Sequence, residues 1–152
     1  MRITAKGEYA TKTVLYLTFK YPAIVPTQEI AKQHSIPAKY LEHILLTLKK
    51  GGLLYSRRGV RGGYQLARPP DKISVGDVLA IVDGEFARSG CVEEPASGEY
   101  SCPEIASCGL KAVWKEMREA MEAILYHTTF DDIKKRTLAG VARHNEFMMY
   151  EV

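Results

Sequence analysis

The apolar residues of this chain follow helical periods over most of its length and lapse in one long stretch. Across residues 2–21, Tyr9, Ala10, Val14, Leu17 and Tyr21 line one stripe of a predicted helix with Thr4 near its start, and Tyr21-Pro22 stops it. After a short link, Thr27 is placed to cap a second helix running through Ala31 and Lys32, which Ser35, Ile36 and Pro37 interrupt. Proline suits the first turn of a helix rather than its interior, so Pro37 is read as opening a third. There Leu41, Ile44, Leu45 and Leu48 recur at helical spacing and make one face that must dock on a neighbour. Gly51 and Gly52 supply a left-handed stop. Leu53 to Arg57 and Tyr64 to Leu66 then read as two short strands around Gly59-Val60-Arg61-Gly62-Gly63. The pattern is a helix-turn-helix followed by a wing.

Farther along, Arg68-Pro69-Pro70-Asp71 is an extended connector, and Ser74 caps a predicted helix over Val75 to Val82 whose apolar face is Val75, Val78, Leu79 and Val82. From Asp83 to Cys108 all periodicity is lost among Gly, Ser, Pro and Glu, a length that a small domain rarely leaves irregular unless the segment is disordered or functional. Regularity then returns. Leu110, Trp114, Met117, Met121, Ile124 and Thr128 step by four and three, the spacing of a heptad seam, which Val113, Ala120 and Leu125 widen. Such a seam packs either inside its own monomer or against a second copy, and the N-terminal half already reads as complete. Self-association is therefore expected. Phe130 to Ala142 is expected to add a short helix capped by Thr129, with Asp131 and Asp132 in its first turn. The expected fold is mainly α: a winged helix-turn-helix DNA-binding domain with a two-stranded wing over 1–83, a cysteine-bearing sensor loop over 84–108, and a long dimerisation helix with a C-terminal tail over 109–152.

Charge gives this pattern a partner. The net +3 hides a division, because residues 1–72 hold 13 Lys and Arg against 4 acids while residues 73–152 hold 8 against 14. Between Ala38 and Arg68 there are seven basic residues and one acid, Glu42. Helix-turn-helix punctuation with a basic wing points to nucleic acid. Duplex DNA is favoured over single strands, since no aromatic-rich strands offer stacking platforms. The polar face of the third helix carries Ala38, Lys39, Glu42, His43 and Thr47, side chains able to reach base edges in a major groove. Candidate DNA contacts are Thr27, Lys39, Tyr40, Glu42, His43 and Thr47, with Arg57, Arg58 and Arg61 of the wing on phosphates or in the minor groove.

Composition sets outer bounds. A 152-residue chain that is 46% hydrophobic and 26% charged can bury one sizeable core. No apolar run approaches the roughly 20 residues that span a bilayer, and MRITAKGEYA lacks the apolar centre of a signal peptide, so a cytoplasmic protein without a membrane partner is expected. The four histidines are scattered and no nucleophile or acid–base grouping stands out, which argues against an enzyme.

All three cysteines, Cys91, Cys102 and Cys108, lie in the irregular stretch. They form no CxxC pair, so zinc-ribbon and thioredoxin chemistry is poorly supported. Three thiolates on one loop can converge on a soft metal centre, and iron–sulfur clusters are held by such thiolates; by spacing alone, ordinary free thiols explain them almost as well.

The motifs MRITAKGEYA, KYLEHILLTLKKGGLL, SRRGVRGGYQLARP and ISVGDVLAIVDG, with the three cysteines and Leu110 to Met117 after them, resemble the bacterial cluster-binding winged-helix regulators typified by IscR, NsrR and RirA. The likeness extends from Met1 to about Leu125. It implies a homodimeric transcription factor on a near-palindromic operator, with a two-iron or four-iron cluster ligated by Cys91, Cys102 and Cys108. The cluster would order the loop against the dimerisation helix and set the separation of the two recognition helices. Two departures stand out. The gap between Cys91 and Cys102 is longer than is usual in the family, and Lys111 occupies the place where some members carry a histidine ligand. An ammonium has no lone pair for iron. Other members borrow an acid from the partner's first helix, and Glu8 matches that place, though a solvated helix residue explains Glu8 equally well. The alternative is a metal-free regulator of the same fold, governed by a protein, a small molecule or a thiol switch.

Overall fold

The computed structural model describes residues 3–84 and 108–149. Helix α1 (Ala5–Lys20) begins at Thr4, whose hydroxyl accepts the Gly7 N–H at 3.0 Å. It buries Ala10, Val14 and Leu17 as the apolar stripe predicts, and Thr13 and Thr18 besides. Thr18 fits an apolar contact because its hydroxyl donates back to the Val14 carbonyl at 2.9 Å. Tyr21 lies beyond the helix and is exposed.

Helices α2 (Thr27–His34) and α3 (Ala38–Lys50) form the helix-turn-helix. Thr27 does not cap α2: Pro26 holds that position without a side-chain bond, and Thr27 is the first helical residue. The turn is made by Ser35 at φ 52, with the Ile36 N–H reaching back to the Ala31 carbonyl at 3.0 Å. That closure is a Schellman-like stop. It carries the buried Ile36 under the helix pair and leaves Pro37 to precede α3 as its N-cap. Leu41, Ile44, Leu45 and Leu48 of α3 are all fully buried, joining Ala10, Val14, Leu17, Ile30, Ile73 and Val78 in one core. After α3 the left-handed residue is Gly52, at φ 75, while Gly51 stays at φ −76.

Strands β1 (Leu54–Arg57) and β2 (Gly63–Leu66) pair antiparallel, Leu54 opposite Leu66 and Arg57 opposite Gly63. Ser74 and Asp77 then open α4 (Val75–Asp83) with a complete capping box. Helix α5 (Gly109–His127) buries none of its residues. Its end is moored to α4, where the Tyr126 ring lies over Gly76 and the Val75 N–H bonds the Thr128 carbonyl at 3.0 Å.

The C-terminal helix differs from the short helix expected. α6 (Phe130–Met149) runs 20 residues, and its first residue, Phe130, is 1% exposed within the core of the N-terminal helices. Thr129 and Asp132 cap it reciprocally, the Asp132 N–H bonding Thr129 Oγ1 at 3.1 Å and the Thr129 N–H bonding Asp132 Oδ2 at 3.1 Å. α6 therefore folds back along α1.

Candidate nucleic-acid interface and sensor residues

The core docking of α3 decides what it leaves outward. With Leu41, Ile44, Leu45 and Leu48 turned in, the exposed face runs Lys39, Glu42, His43, Leu46 and Lys50 at helical spacing. Two expectations from the sequence shift here. Thr47 is half-buried, and its hydroxyl donates to the His43 carbonyl at 2.8 Å, so it points along the helix rather than away from it. Leu46, in contrast, is 44% exposed at the middle of the outward face. Leu46 belongs to neither face that the spacing defines, and only the phase of the buried stripe separates it from Leu45. Tyr40 is exposed at the first turn and packs edge-on against Tyr9, ring centroids 5.9 Å apart. Thr27 is half-buried at the start of α2.

The wing stands beside this face because its second strand is sewn to the link before α2. Val25 and Tyr64 exchange backbone bonds of 2.8 and 2.9 Å. At the tip, Gly59 at φ 108 and the Gly62 N–H to Gly59 carbonyl bond of 2.8 Å close the turn. A side chain at Gly62 would meet the Arg57 carbonyl at 2.5 Å, so the turn requires glycine there. Arg57, Arg58 and Arg61 are exposed around it. Lys49 reaches across from α3 to Ser56 Oγ at 2.7 Å, tying helix and wing together.

Electrostatically the face is uncompensated. Among the described residues, ion pairs join Lys12 to Glu8, Lys20 to Glu29, Arg68 to Asp77 and several pairs on α5 and α6. None involves Lys39, Lys50, Arg57, Arg58 or Arg61, and Glu42 is the single acid between Ala38 and Arg68. Cations left unpaired on one rigid face form an anion-binding surface.

Of the sensor candidates, Cys91 and Cys102 lie outside the described residues. Cys108 is a free, half-buried thiol at the N-cap position of α5, and its side chain takes no capping bond. Lys111 is half-buried one turn farther on. Glu8 is exposed in the first turn of α1, and Lys12 Nζ donates to its Oε1 at 2.6 Å. That bond, followed by the Glu8 charge, raises the Lys12 pKa above its ordinary range. In the heptad seam of α5, Leu110, Trp114, Met117 and Ile124 are exposed, as is the flanking Val113, while Met121 and Thr128 are half-buried.

A helix-turn-helix with an uncompensated basic face, a wing pinned beside it and a projecting helical arm together define a winged-helix transcription regulator. The chain belongs to the Rrf2 family, whose model, described as an iron-dependent transcriptional regulator, matches residues 3–136. It is 38% identical over 136 residues to the protein designated HTH-type transcriptional regulator Rv1287 of Mycobacterium tuberculosis, covering 88% of this chain and 81% of that one. Among solved structures it is similar to IscR of T. potens, with TM-score 0.70 and 28% identity over 90% of this chain and 88% of that one. It is similar also to CymR, the global cysteine regulator of B. subtilis, with TM-score 0.68 and 28% identity over 90% of this chain and 98% of that one. These are regulators rather than enzymes. No helix among the described residues is long and apolar enough to cross a membrane.

Proposed function

We propose that the chain acts in the cytoplasm as a homodimer on a near-palindromic duplex operator, with α3 in the major groove and the wing arginines on the backbone or in the minor groove. The observation that carries this reading is the unpaired basic surface shared by α3 and the wing. Phosphates supply the missing countercharge, and the outward side chains Lys39, Glu42 and His43 read base edges. Two copies are joined through the α5 seam, whose large apolar residues their own domain leaves uncovered.

The signal enters through an iron–sulfur cluster of two or four irons held by Cys91, Cys102 and Cys108. The donor set suits it: three soft thiols within one stretch, with the Cys108 sulfur a free thiol that makes no capping bond to α5. When bound, the cluster supplies a cross-link that iron supply, oxidants or nitric oxide can break. The residues of this chain do the rest. Cys108 ties segment 84–108 to the start of α5, so ordering of that segment bears on the arm that sets the spacing of the two heads. Lys111 cannot serve as a ligand in its charged form, and Glu8 of the partner subunit completes the set.

The likeness to CymR favours a second reading, in which the same fold works without metal and the cysteines form a thiol switch or stand idle. Purification without oxygen decides between the two. Coloured protein with bound iron and a visible charge-transfer band supports the cluster, whereas colourless, iron-free protein that still selects one sequence from random duplex DNA supports the metal-free regulator. Failure to select any sequence overturns the operator reading itself.

A further inference from the structure

We infer that Leu46 is a specificity-determining residue that recognises the C5-methyl group of a thymine in each half-site. The inference rests on the proposed docking of α3 in the major groove. Beyond the first turn of α3, Leu46 is the one apolar residue on the outward face, with Glu42 and His43 one turn before it and Lys49 and Lys50 one turn after. It is 44% exposed, and leucine at this phase of the helix stays outside the core, which Leu45 and Leu48 help fill. One leucine ringed by charged groups is too small a patch for a protein partner. It does match the major-groove edge of DNA, where thymine's methyl is the apolar group presented among hydrogen-bond donors and acceptors. The polar neighbours complete the fit, since Lys49 is already held by Ser56 at 2.7 Å and Thr47 by the His43 carbonyl, so neither competes for that position.

The test uses the full chain and an operator selected from random duplex DNA. Thymines are replaced one at a time by deoxyuridine, which pairs identically and lacks the methyl. One position per half-site should lose about four-fold in affinity, the worth of one buried methyl, and about sixteen-fold when both half-sites are changed. Leu46→Ala should bind the thymine and deoxyuridine operators equally, and Leu46→Met, which keeps an apolar tip, should restore the preference. Because Leu46 is exposed, both variants should unfold at the wild-type denaturant midpoint and keep the wild-type salt dependence. An operator bound by wild type with the same affinity after every thymine is replaced overturns the inference and leaves the operator reading intact. A full methyl preference retained by Leu46→Ala overturns it as well. A selection that enriches no sequence overturns the operator reading and this inference together.

Discussion

Val25 and Tyr64 lock the wing to the helix-turn-helix through a reciprocal pair of backbone bonds, 2.8 and 2.9 Å long. Gly63 makes that approach possible, because a side chain there would run into the Val25 carbonyl and lie 2.9 Å from Pro26 N. Backbone atoms cannot turn aside as a flexible side chain can. Gly63→Ala should therefore cost about 1–3 kcal/mol of stability, the usual penalty of overpacking. It should also weaken DNA binding beyond that loss by swinging the wing away from α3. Denaturant midpoints and DNA titrations on the same preparations check both; a variant with wild-type values in each would show that the link yields freely.

Arg58 and Arg61 flank the tip with no ion-pair partner among the described residues. If they meet phosphates, Arg58→Ala and Arg61→Ala should each weaken binding to the selected operator and to random DNA by similar factors. Each should also lower the slope of log affinity against log salt by about 0.9. Unchanged affinity and slope in the double variant would remove the wing from the interface.

The helix-turn-helix was legible because its signals are local. The stripe of Leu41, Ile44, Leu45 and Leu48 is fully buried as its spacing requires, and Ser74 caps α4 where predicted. What escaped depended on contacts distant in the chain. Phe130 looks like the start of a tail, yet the Phe130 N–H bonds the Ile73 carbonyl at 2.9 Å and its ring completes the core. Thr27 has a good capping side chain, but the chain enters α2 one residue earlier at Pro26. Leu46 and Thr47 exchange the roles their polarity suggests, since helix phase rather than residue type decides which side chain faces out. Of the three cysteines, Cys108 lies at the N-cap of α5 and the other two lie outside the described residues, so a ligand role for all three stays a reading from sequence.

The α5 seam offers a clean dissociation test. Met117 is 44% exposed, so Met117→Asp places a carboxylate in water in the monomer and buries it only when two copies meet. An unpaired buried charge against its own symmetry mate is strongly unfavourable. The variant should keep the wild-type helical content, sediment as a monomer and lose most of its operator affinity, because one head then binds alone. A dimer that persists would move the interface off this seam.

His34 predicts a pH dependence of stability. It sits at the end of α2, edge-on to Tyr16 with ring centroids 5.6 Å apart, and its buried Nε2 has no hydrogen-bond partner among the described residues. Burial, then the Lys12 charge, holds its pKa below the ordinary histidine range. Nearby, the Tyr16 hydroxyl is committed to Glu29 at 2.7 Å and offers the imidazole no relief. The unfolded chain therefore takes up the proton first. Stability should be flat above about pH 6.5 and fall as pH drops through that value, with the loss ending once the folded state also protonates. Urea midpoints between pH 5 and 8 should show this fall for wild type and a smaller one for His34→Gln. Parallel curves would place the titration elsewhere.

The last prediction concerns what holds Glu8 back. In the isolated chain its carboxylate is bound to Lys12 at 2.6 Å, and a ligand to iron must give up that bond. An exposed helical pair of this spacing is a weak interaction, so releasing it shifts an equilibrium by roughly two-fold. Removing either partner should then act in opposite directions. Glu8→Ala deprives the proposed cluster of its fourth protein ligand and should hasten its loss in air. Lys12→Met frees the carboxylate and should slow that loss by about two-fold at most. Cys102→Ala serves as the reference, expected to retain no iron while remaining a folded dimer. Iron content after anaerobic purification and the decay of visible absorbance on exposure to air report all three. Equal decay in wild type, Glu8→Ala and Lys12→Met would return Glu8 to an ordinary place on the surface of α1, and full iron in Cys102→Ala would overturn the cysteine ligands themselves.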